Sequence, residues 1–174
     1  MLGKIYSHLL APKLHLAAAS AAARKAGMST FRVPGSNMAP TLEPGEVVWV
    51  RPVPARQLER GQVVAFTTID LKGVPVPSRV IGLPGETIQL RDGDLLVNDV
   101  RVPEPYLQAG RADQDFSRSF GPQVVPKESV WLMGDFRDMS KDSRHFGALR
   151  ITSVQGQVVR AHALGAHANP RSVR

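Results

Sequence analysis

The 174-residue sequence contains no cysteine, which excludes a disulfide framework, a thiolate metal site and a cysteine nucleophile. Aromatic residues are also scarce, at 6% of the chain. Long hydrophobic runs are missing as well, because the uncharged run Leu14–Ala23 is about half of the roughly 20 residues that a helix needs to cross a bilayer. We therefore expect no transmembrane anchor in this part of the sequence.

Acidic residues are missing from both ends of the chain. None precedes Glu43 and none follows Val159, while the whole chain has a net charge of +7. This excess favours an anionic partner such as a lipid surface, RNA or an acidic protein. We expect a basic, alanine-rich helical arm over 1–30, a β domain over 31–160 and a basic tail over 161–174.

The N-terminal arm is open to three interpretations. Its apolar residues recur at helical spacing, and the run Ala17–Ala23 has a high helix propensity. A basic, acid-free, amphipathic segment is typical of a mitochondrial targeting segment or of an interfacial helix at a membrane surface. A helix that packs on the domain or on a partner is equally compatible with the sequence.

The middle of the chain alternates short apolar runs with glycines and prolines, of which the sequence has 15 and 14. This pattern predicts an all-β protein with tight turns, and Asp92-Gly93 predicts a hairpin. Prolines make 72–77 a loop or an edge strand, 103–126 is predicted to be a long loop or lid, and 134–150 a polar loop. Strands are predicted at 47–50, 63–66, 79–83, 87–90, 95–97, 129–133 and 154–159.

The stretch Val33–Leu42 is typical of an active-site loop. A Gly-Ser pair next to a methionine and a proline, just before a strand, can turn the backbone sharply and expose a hydroxyl for nucleophilic chemistry. Three further stretches follow it in the sequence with their own recognisable patterns. The four blocks are Met38-Ala39-Pro40-Thr41-Leu42, Glu59-Arg60-Gly61-Gln62-Val63-Val64-Ala65-Phe66, Arg79-Val80-Ile81-Gly82-Leu83-Pro84-Gly85-Glu86 with Leu96-Val97-Asn98, and Gly134-Asp135-Phe136-Arg137-Asp138-Met139-Ser140-Lys141-Asp142-Ser143-Arg144-His145-Phe146-Gly147.

In this order, the four blocks resemble the type I signal peptidases and the related mitochondrial inner-membrane peptidases. The resemblance covers about 33–159 and implies antiparallel sheets in a barrel or sandwich around a substrate groove, with a short N-terminal helical arm. It also implies acyl transfer by a serine nucleophile and a buried, neutral lysine that acts as its base. No cofactor or metal ion is implied.

Both catalytic positions of the family are substituted in this sequence. The nucleophile aligns with Asn37 and the lysine with Ser78. Ser36 is a fallback nucleophile, although a shift of one residue in extended chain points a side chain to the opposite face. As bases, Lys72 is too far along the chain, Arg79 stays protonated, and His145 is better explained as a loop residue.

The residues that would shape the family's loops are kept. The resemblance implies that Asp142, Ser143 and Arg144 support the catalytic loop, and we expect them here to brace the sheet. The complete set of expected loop-supporting residues is Gly35, Met38, Pro40, Arg79, Asp135, Asp142, Ser143 and Arg144.

We interpret the sequence as an inactive relative of these peptidases, a structural or accessory subunit of a larger mitochondrial assembly at the inner membrane. Its partners would be other subunits or an active peptidase, with the arm on a membrane surface. One alternative is an active peptidase that cleaves presequences with Ser36, and another is a basic RNA-associated subunit such as a mitochondrial ribosomal component. A bacterial cell-envelope location is the alternative to the mitochondrion.

Overall fold

A computed structural model describes residues 17, 19–67, 73–107, 119–163 and 170–173. Residues 19–25 are helical, and a single α-helical turn follows later at Ser143–Phe146. Within the described residues, 3-10 turns lie at Ala55–Gln57, Arg137–Met139 and Ile151–Ser153. The strands are β1 (Ser29–Arg32), β2 (Val47–Arg51), β3 (Val63–Phe66), β4 (Val76–Gly82), β5 (Thr87–Arg91), β6 (Asp94–Val97), β7 (Val100–Arg101), β8 (Phe120–Val124), β9 (Ser129–Met133), β10 (Leu149–Arg150), β11 (Val154–His162) and β12 (Arg171–Ser172).

The strands form two antiparallel sheets, which confirms the all-β fold predicted from the sequence. The large sheet has the order β1-β2-β11-β3-β4-β9-β10, with β12 added to β11. The small sheet has the order β7-β6-β5-β8. Strands β4 and β5 follow one another directly through the turn at Pro84-Gly85, so this turn carries the chain from one sheet to the other.

Alternation of apolar residues along the strands builds the core. One face of the large sheet carries Val48 and Val50 of β2 and Val158 of β11, which are almost completely buried. A second cluster joins the two sheets: Ile88 of β5 packs near Trp131 of β9, whose ring stacks on Phe120 at a centroid distance of 5.4 Å. Burial of these side chains is the main favourable term that holds the small sheet against the large one.

The hairpin between β5 and β6 forms where the sequence predicts it. Leu90 pairs with Leu95 and Arg91 with Asp94, so Asp92 and Gly93 make a two-residue turn. Both have positive φ, 53° at Asp92 and 91° at Gly93. An Asp-Gly pair suits this geometry because aspartate tolerates left-handed backbone and glycine adopts it without a steric penalty.

Residues 76–77, at the end of the proline-rich segment 72–77 that was predicted to be a loop or an edge strand, belong to a strand. Val76 and Pro77 begin β4 and pair with Phe66 and Ala65 of β3. On its other side β4 pairs with β9 only from Arg79 onward, so Pro77 lies where the strand has a single strand neighbour. A residue without an N–H is tolerated there because no ladder hydrogen bond is lost.

Two irregular segments contain strands that the sequence patterns did not reveal. Strand β8 lies at the end of the predicted 103–126 loop. It pairs with β5 although its sequence contains a glycine and a proline, which disfavour strand structure. Residues 108–118 of the predicted loop lie outside the described residues. In the predicted tail, β11 continues to His162 and β12 pairs with it, and Val173 is 8% exposed. The strand structure at 120–124, 161–162 and 171–172 was not predicted from the sequence, which assigned these residues to a long loop or lid and to a basic C-terminal tail.

The N-terminal arm is described only in part, and residues 1–16 and 18 lie outside the described residues. The helical residues pack on β1, because Ser20 and Thr30 share a hydrogen bond of 2.9 Å between their hydroxyl oxygens and Ala23 is completely buried. In the part of the chain that the structure describes, no helix has the length and apolar character needed to span a membrane.

Gly82→Ala tests the packing between the two sheets. A Cβ atom at Gly82 would lie 2.7 Å from Ile88 and 3.0 Å from the Cβ atom of Trp131, so we expect overpacking to lower the free energy of unfolding by about 1–3 kcal/mol. Gly35→Ala is the matched control, because a Cβ atom there meets no atom within 4 Å. Urea unfolding measures both, and equal losses would contradict the packing shown here.

Candidate functional site

The loop between β1 and β2 is fixed at both ends and in its middle. The Val33 N–H donates to Glu46 O (2.8 Å), and the Gly45 N–H donates to Val33 O (2.9 Å). Met38 and Leu42 are fully buried in the core of the large sheet. These contacts give the loop one conformation and place Asn37 at a defined point beside β4.

Asn37 connects three segments of the chain. Its side-chain nitrogen donates to the carbonyl oxygen of Pro77 at 2.7 Å, and its own carbonyl accepts from the Phe136 N–H at 3.0 Å. Ser78, which shares a peptide bond with Pro77, is 1% exposed on β4. The fold therefore brings Asn37 and Ser78, 41 positions apart in the sequence, to neighbouring places.

The chemistry available to these two residues is limited. A carboxamide is a hydrogen-bond donor and acceptor without a nucleophilic hydroxyl or thiol, and a neutral hydroxyl is not a general base near neutral pH. The amide of Asn37 is moreover engaged with a backbone carbonyl. This pair can bind polar groups and hold the loop against β4, but it cannot perform the attack and proton transfer of nucleophilic catalysis.

Ser36, the fallback nucleophile, lies inside the loop next to Asn37. It is partly buried, and its carbonyl accepts the Ala39 N–H at 2.9 Å within the loop. Within the described ranges, the Ser36 hydroxyl has no hydrogen bond to a lysine or histidine nitrogen. Lys72 lies outside the described residues, and the Nδ1 atom of the exposed His145 accepts a backbone N–H from Asp142 at 3.4 Å.

A fully buried ion pair lies directly behind the loop. The Arg79 guanidinium donates twice to the carboxylate of Asp135, from Nε at 2.8 Å and from NH2 at 2.6 Å, and each side chain is 1% exposed. The Thr41 hydroxyl donates to the same carboxylate at 2.5 Å. Arg79 also donates to the Gly61 carbonyl at 2.6 Å. Together these bonds join the loop, β4 and the segment that follows β9.

A second buried network was not predicted from the sequence. Arg137 donates to Glu104 at 2.5 Å, and the Tyr106 hydroxyl donates to the same carboxylate at 2.6 Å. The Tyr106 ring lies 3.9 Å below the guanidinium carbon of Arg79, which links the two networks. No motif marks Glu104 and Tyr106, and the sequence assigns them only to the start of a loop.

Burial and charge shift two pKa values in this network. Desolvation raises the pKa of Tyr106 well above its usual value, and the Glu104 carboxylate and its hydrogen bond raise the pKa further against the smaller opposing effect of Arg137 and Arg79. For Arg137, burial acts to lower the pKa, but the Glu104 carboxylate raises it and the net shift is upward. Tyr106 therefore stays a neutral donor and Arg137 a cation.

The segment after β9 is held by the three residues expected to brace the sheet. Asp142 begins the turn Ser143–Phe146 in a capping box with His145, accepts the Gly134 N–H at 3.0 Å and pairs with Arg144 at 2.9 Å. The Ser143 hydroxyl accepts the Leu132 N–H at 2.9 Å. A Cβ atom at Gly134 would overlap the carbonyl oxygen of Asn37, so glycine is required for this close approach.

The other expected loop-supporting residues have less specific surroundings. Met38 is fully buried, whereas Pro40 is exposed. Gly35 has open space around its missing side chain and does not have the left-handed backbone that requires glycine. Nothing in its geometry explains why glycine stands at this position.

Two further features bear on ligands. Within the described ranges, no group of three His, Asp or Glu side chains could hold a metal ion. A groove of about 590 Å³ lies between the turn before β3 and the start of the segment that follows β7. Its lining combines apolar residues, such as Val63, Pro103 and Pro105, with the polar or charged residues Arg60, Gln62, Arg79 and Gln157.

Comparison with known proteins identifies the family. Residues 7–162 match the family model described as "Signal peptidase, peptidase S26", which is most of the chain. The chain belongs to the S26 signal peptidase family. This confirms the resemblance found in the sequence.

The relatives compared here are bacterial. It is 37% identical over 122 residues to signal peptidase I of Bacillus licheniformis, covering 66% of this chain and 65% of the relative. It is 36% identical over 139 residues to signal peptidase I V of Bacillus subtilis, covering 74% and 82%. A crystal structure of a signal peptidase I from Enterococcus faecalis matches with a TM-score of 0.53 and 32% identity, over 59% of this chain and 97% of that one.

The matches to the first of these relatives are not complete. The chain spans 65% of the length of the Bacillus licheniformis relative and 63% of the length of signal peptidase I T of Bacillus subtilis, slightly less than two thirds in each case. The S26 family fold thus applies to the part described here, and what a full-length relative does is not transferred to this chain by the match alone.

Asp135→Asn tests the buried ion pair of this S26 domain. Arg79 would remain a buried charge without its carboxylate, so we expect the free energy of unfolding to fall by about 3–5 kcal/mol. Asp94→Asn is the matched control, because the Asp94–Arg101 pair is 49% and 74% exposed and surface pairs contribute about 0.2–1 kcal/mol. Urea denaturation of both variants decides the matter, and a similar small loss for both would show that the Arg79–Asp135 pair contributes little.

The raised pKa of Tyr106 predicts a specific loss of stability in alkali. The unfolded chain releases the phenol proton of Tyr106 near pH 10, while the folded chain retains it. Tyr106 therefore makes its full contribution to the free energy of unfolding below about pH 10, and this contribution declines as the pH rises further. The decline approaches about 1.4 kcal/mol per pH unit. It is measured as the difference between wild type and Tyr106→Phe in unfolding experiments from about pH 8 to 11.5. Parallel pH profiles for the two proteins would contradict it.

Proposed function

We propose that this chain is a catalytically inactive member of the S26 family that acts as a structural or accessory subunit of a protein assembly. The observation that carries the proposal is the hydrogen bond that Asn37 makes beside the second substituted position, Ser78. The Asn37 amide donates to the carbonyl of Pro77, next to Ser78, where the family resemblance places nucleophile and base. A site that has lost both groups has no nucleophile and no base to act together.

The preserved framework supports a binding or structural role. The ion pairs Arg79–Asp135, Arg137–Glu104 and Arg144–Asp142 are all nearly completely buried. Removal of one partner from a pair of this kind is strongly destabilising, so such pairs are kept when the fold itself is needed. In this proposal the buried ion pairs around Asn37 and Ser78 stabilise a surface that binds a partner, and they no longer serve catalysis.

The partner and the compartment belong to the same proposal. A protein subunit or an active peptidase of the same family is the partner that a catalytically silent relative would serve. The Bacillus relatives favour the bacterial cell envelope as the location of this chain. The mitochondrial location stays a prediction that depends on the basic N-terminal arm. An RNA-associated role depends on the net charge alone.

Restoring the two family residues tests the proposal. We expect the wild-type chain to leave a precursor protein that carries a signal peptide intact, and Asn37→Ser together with Ser78→Lys to gain cleavage at least tenfold above background. The gain is expected because the two positions are already adjacent and the loop is already ordered. Cleavage is followed by gel mobility and by mass spectrometry of the released peptide.

The single variants and Ser36→Ala provide the controls. Asn37→Ser alone and Ser78→Lys alone should remain inactive, since a hydroxyl without a base and a base without a hydroxyl lack half of the unit. A Bacillus signal peptidase I serves as the positive control for the substrate. Wild-type cleavage that disappears in Ser36→Ala would instead establish the active-peptidase alternative.

A further inference from the structure

Strand β12 lies against the loop between β1 and β2, residues 33–46, which carries Asn37. The strand is only two residues long and pairs with β11 at Arg160 and Ala161. Just after it, the Val173 N–H donates to the Val159 carbonyl at 3.2 Å. These bonds hold β12 on β11, and its side chains reach from there to the loop.

Arg171 of β12 bonds to the loop at two places. Its NH2 group donates to the Thr41 carbonyl at 2.8 Å and to the two carboxylate oxygens of Glu46 at 2.8 and 3.0 Å. The Glu46 side chain is only 10% exposed, and it also accepts the Glu43 N–H at 2.9 Å inside the loop. Without Arg171, a nearly buried carboxylate would lose the cation that it pairs with, and such a loss is destabilising.

Val173 adds an apolar contact on the same side of the strand. Side chains two positions apart in a strand point the same way, so Arg171 and Val173 share one face. Val173 is 8% exposed and belongs to the same buried cluster as Met38 and Leu42 of the loop. The end of the chain that the structure describes therefore holds the loop by charge and by packing, 130 positions away in the sequence.

This attachment is weaker than those on the other side of the loop. Toward the interior, the Thr41 hydroxyl donates to the fully buried Asp135, and the Asn37 amide bonds to β4. Within the described residues, in contrast, β12 has β11 as its strand neighbour, and the Arg171 side chain is 47% exposed. Elements with few buried contacts and exposed hydrogen bonds open at a lower free energy than the whole fold.

We propose that β12 is a detachable clasp for the loop that carries Asn37. While β12 is paired with β11, residues 33–46 keep one ordered conformation, and when it detaches the loop loosens although both sheets remain folded. A partner that binds residues 171–173 in their detached form shifts the protein toward the loosened loop. The clasp does not depend on whether the site around Asn37 is catalytic.

Hydrogen exchange of single amides, followed by NMR in the full chain, tests the clasp. We expect Arg171→Gln to speed exchange of the Ala39 and Leu42 amides, which donate inside the loop, by about tenfold or more. The Asn98 and Val125 amides, which bond within the small sheet, should stay within about twofold of wild type. A loss of stability spread over the whole fold would instead speed all four amides alike.

Two further variants complete the comparison. Arg101→Gln is the matched control, because it removes an arginine from the exposed pair with Asp94 on the small sheet and should leave the Ala39 and Leu42 amides unchanged. Val173→Ala removes the apolar contact alone and should speed the same two loop amides. Circular dichroism confirms that each variant is folded under the conditions of the exchange experiment.

The partnership between Arg171 and Glu46 is tested by combining substitutions. Glu46→Gln should also speed the loop amides, and the combined variant should exchange more slowly than the product of the two separate effects predicts, because both act on one contact. Effects that multiply would overturn the proposal, as would unchanged loop amides in Arg171→Gln or equal acceleration in the small sheet. A variant Arg171→Gln that does not fold would overturn it as well, since β12 could then not detach from a folded domain.

Discussion

The buried contact between Arg79 and Asp135 is the constraint on which the rest of the site depends. Two charges at 1% exposure are tolerated only when each one is satisfied by hydrogen bonds, and here Thr41, Gly61 and Tyr106 complete the environment of the pair. Those partners come from the loop after β1, the turn before β3 and the segment after β7. A single ion pair thus fixes the relative positions of three connections that have no regular pairing of their own.

Asn37 is placed by this framework and in turn adds to it. Its carbonyl and side-chain amide hold the segment after β9 and strand β4 at the same time, through Phe136 and Pro77. The residue that aligns with the family's nucleophile is therefore part of the hydrogen bonding that holds this loop against β4.

The sequence predicted those parts of the fold that depend on local chemistry. Asp92-Gly93 specifies its hairpin because few residue pairs accept two successive positive φ values. Strand β8 and the pairing of β12 were missed because their glycine, proline and polar residues acquire strand structure only through contact with β5 and β11. The network of Glu104, Tyr106 and Arg137 was missed for a related reason, since residues 31 to 33 positions apart meet only in the folded chain.

The substituted positions show where sequence and structure complement each other. Motif alignment places Asn37 and Ser78 at catalytic positions but leaves open whether a neighbour such as Ser36 has taken over. The structure supplies the missing physical argument: the amide of Asn37 is 2.7 Å from the Pro77 carbonyl, and the hydroxyl of Ser36 has no lysine or histidine nitrogen bonded to it within the described residues. Nucleophilic catalysis requires a nucleophile and a base within hydrogen-bond reach of each other, and among the described residues neither Asn37 nor Ser36 has such a base bonded to it.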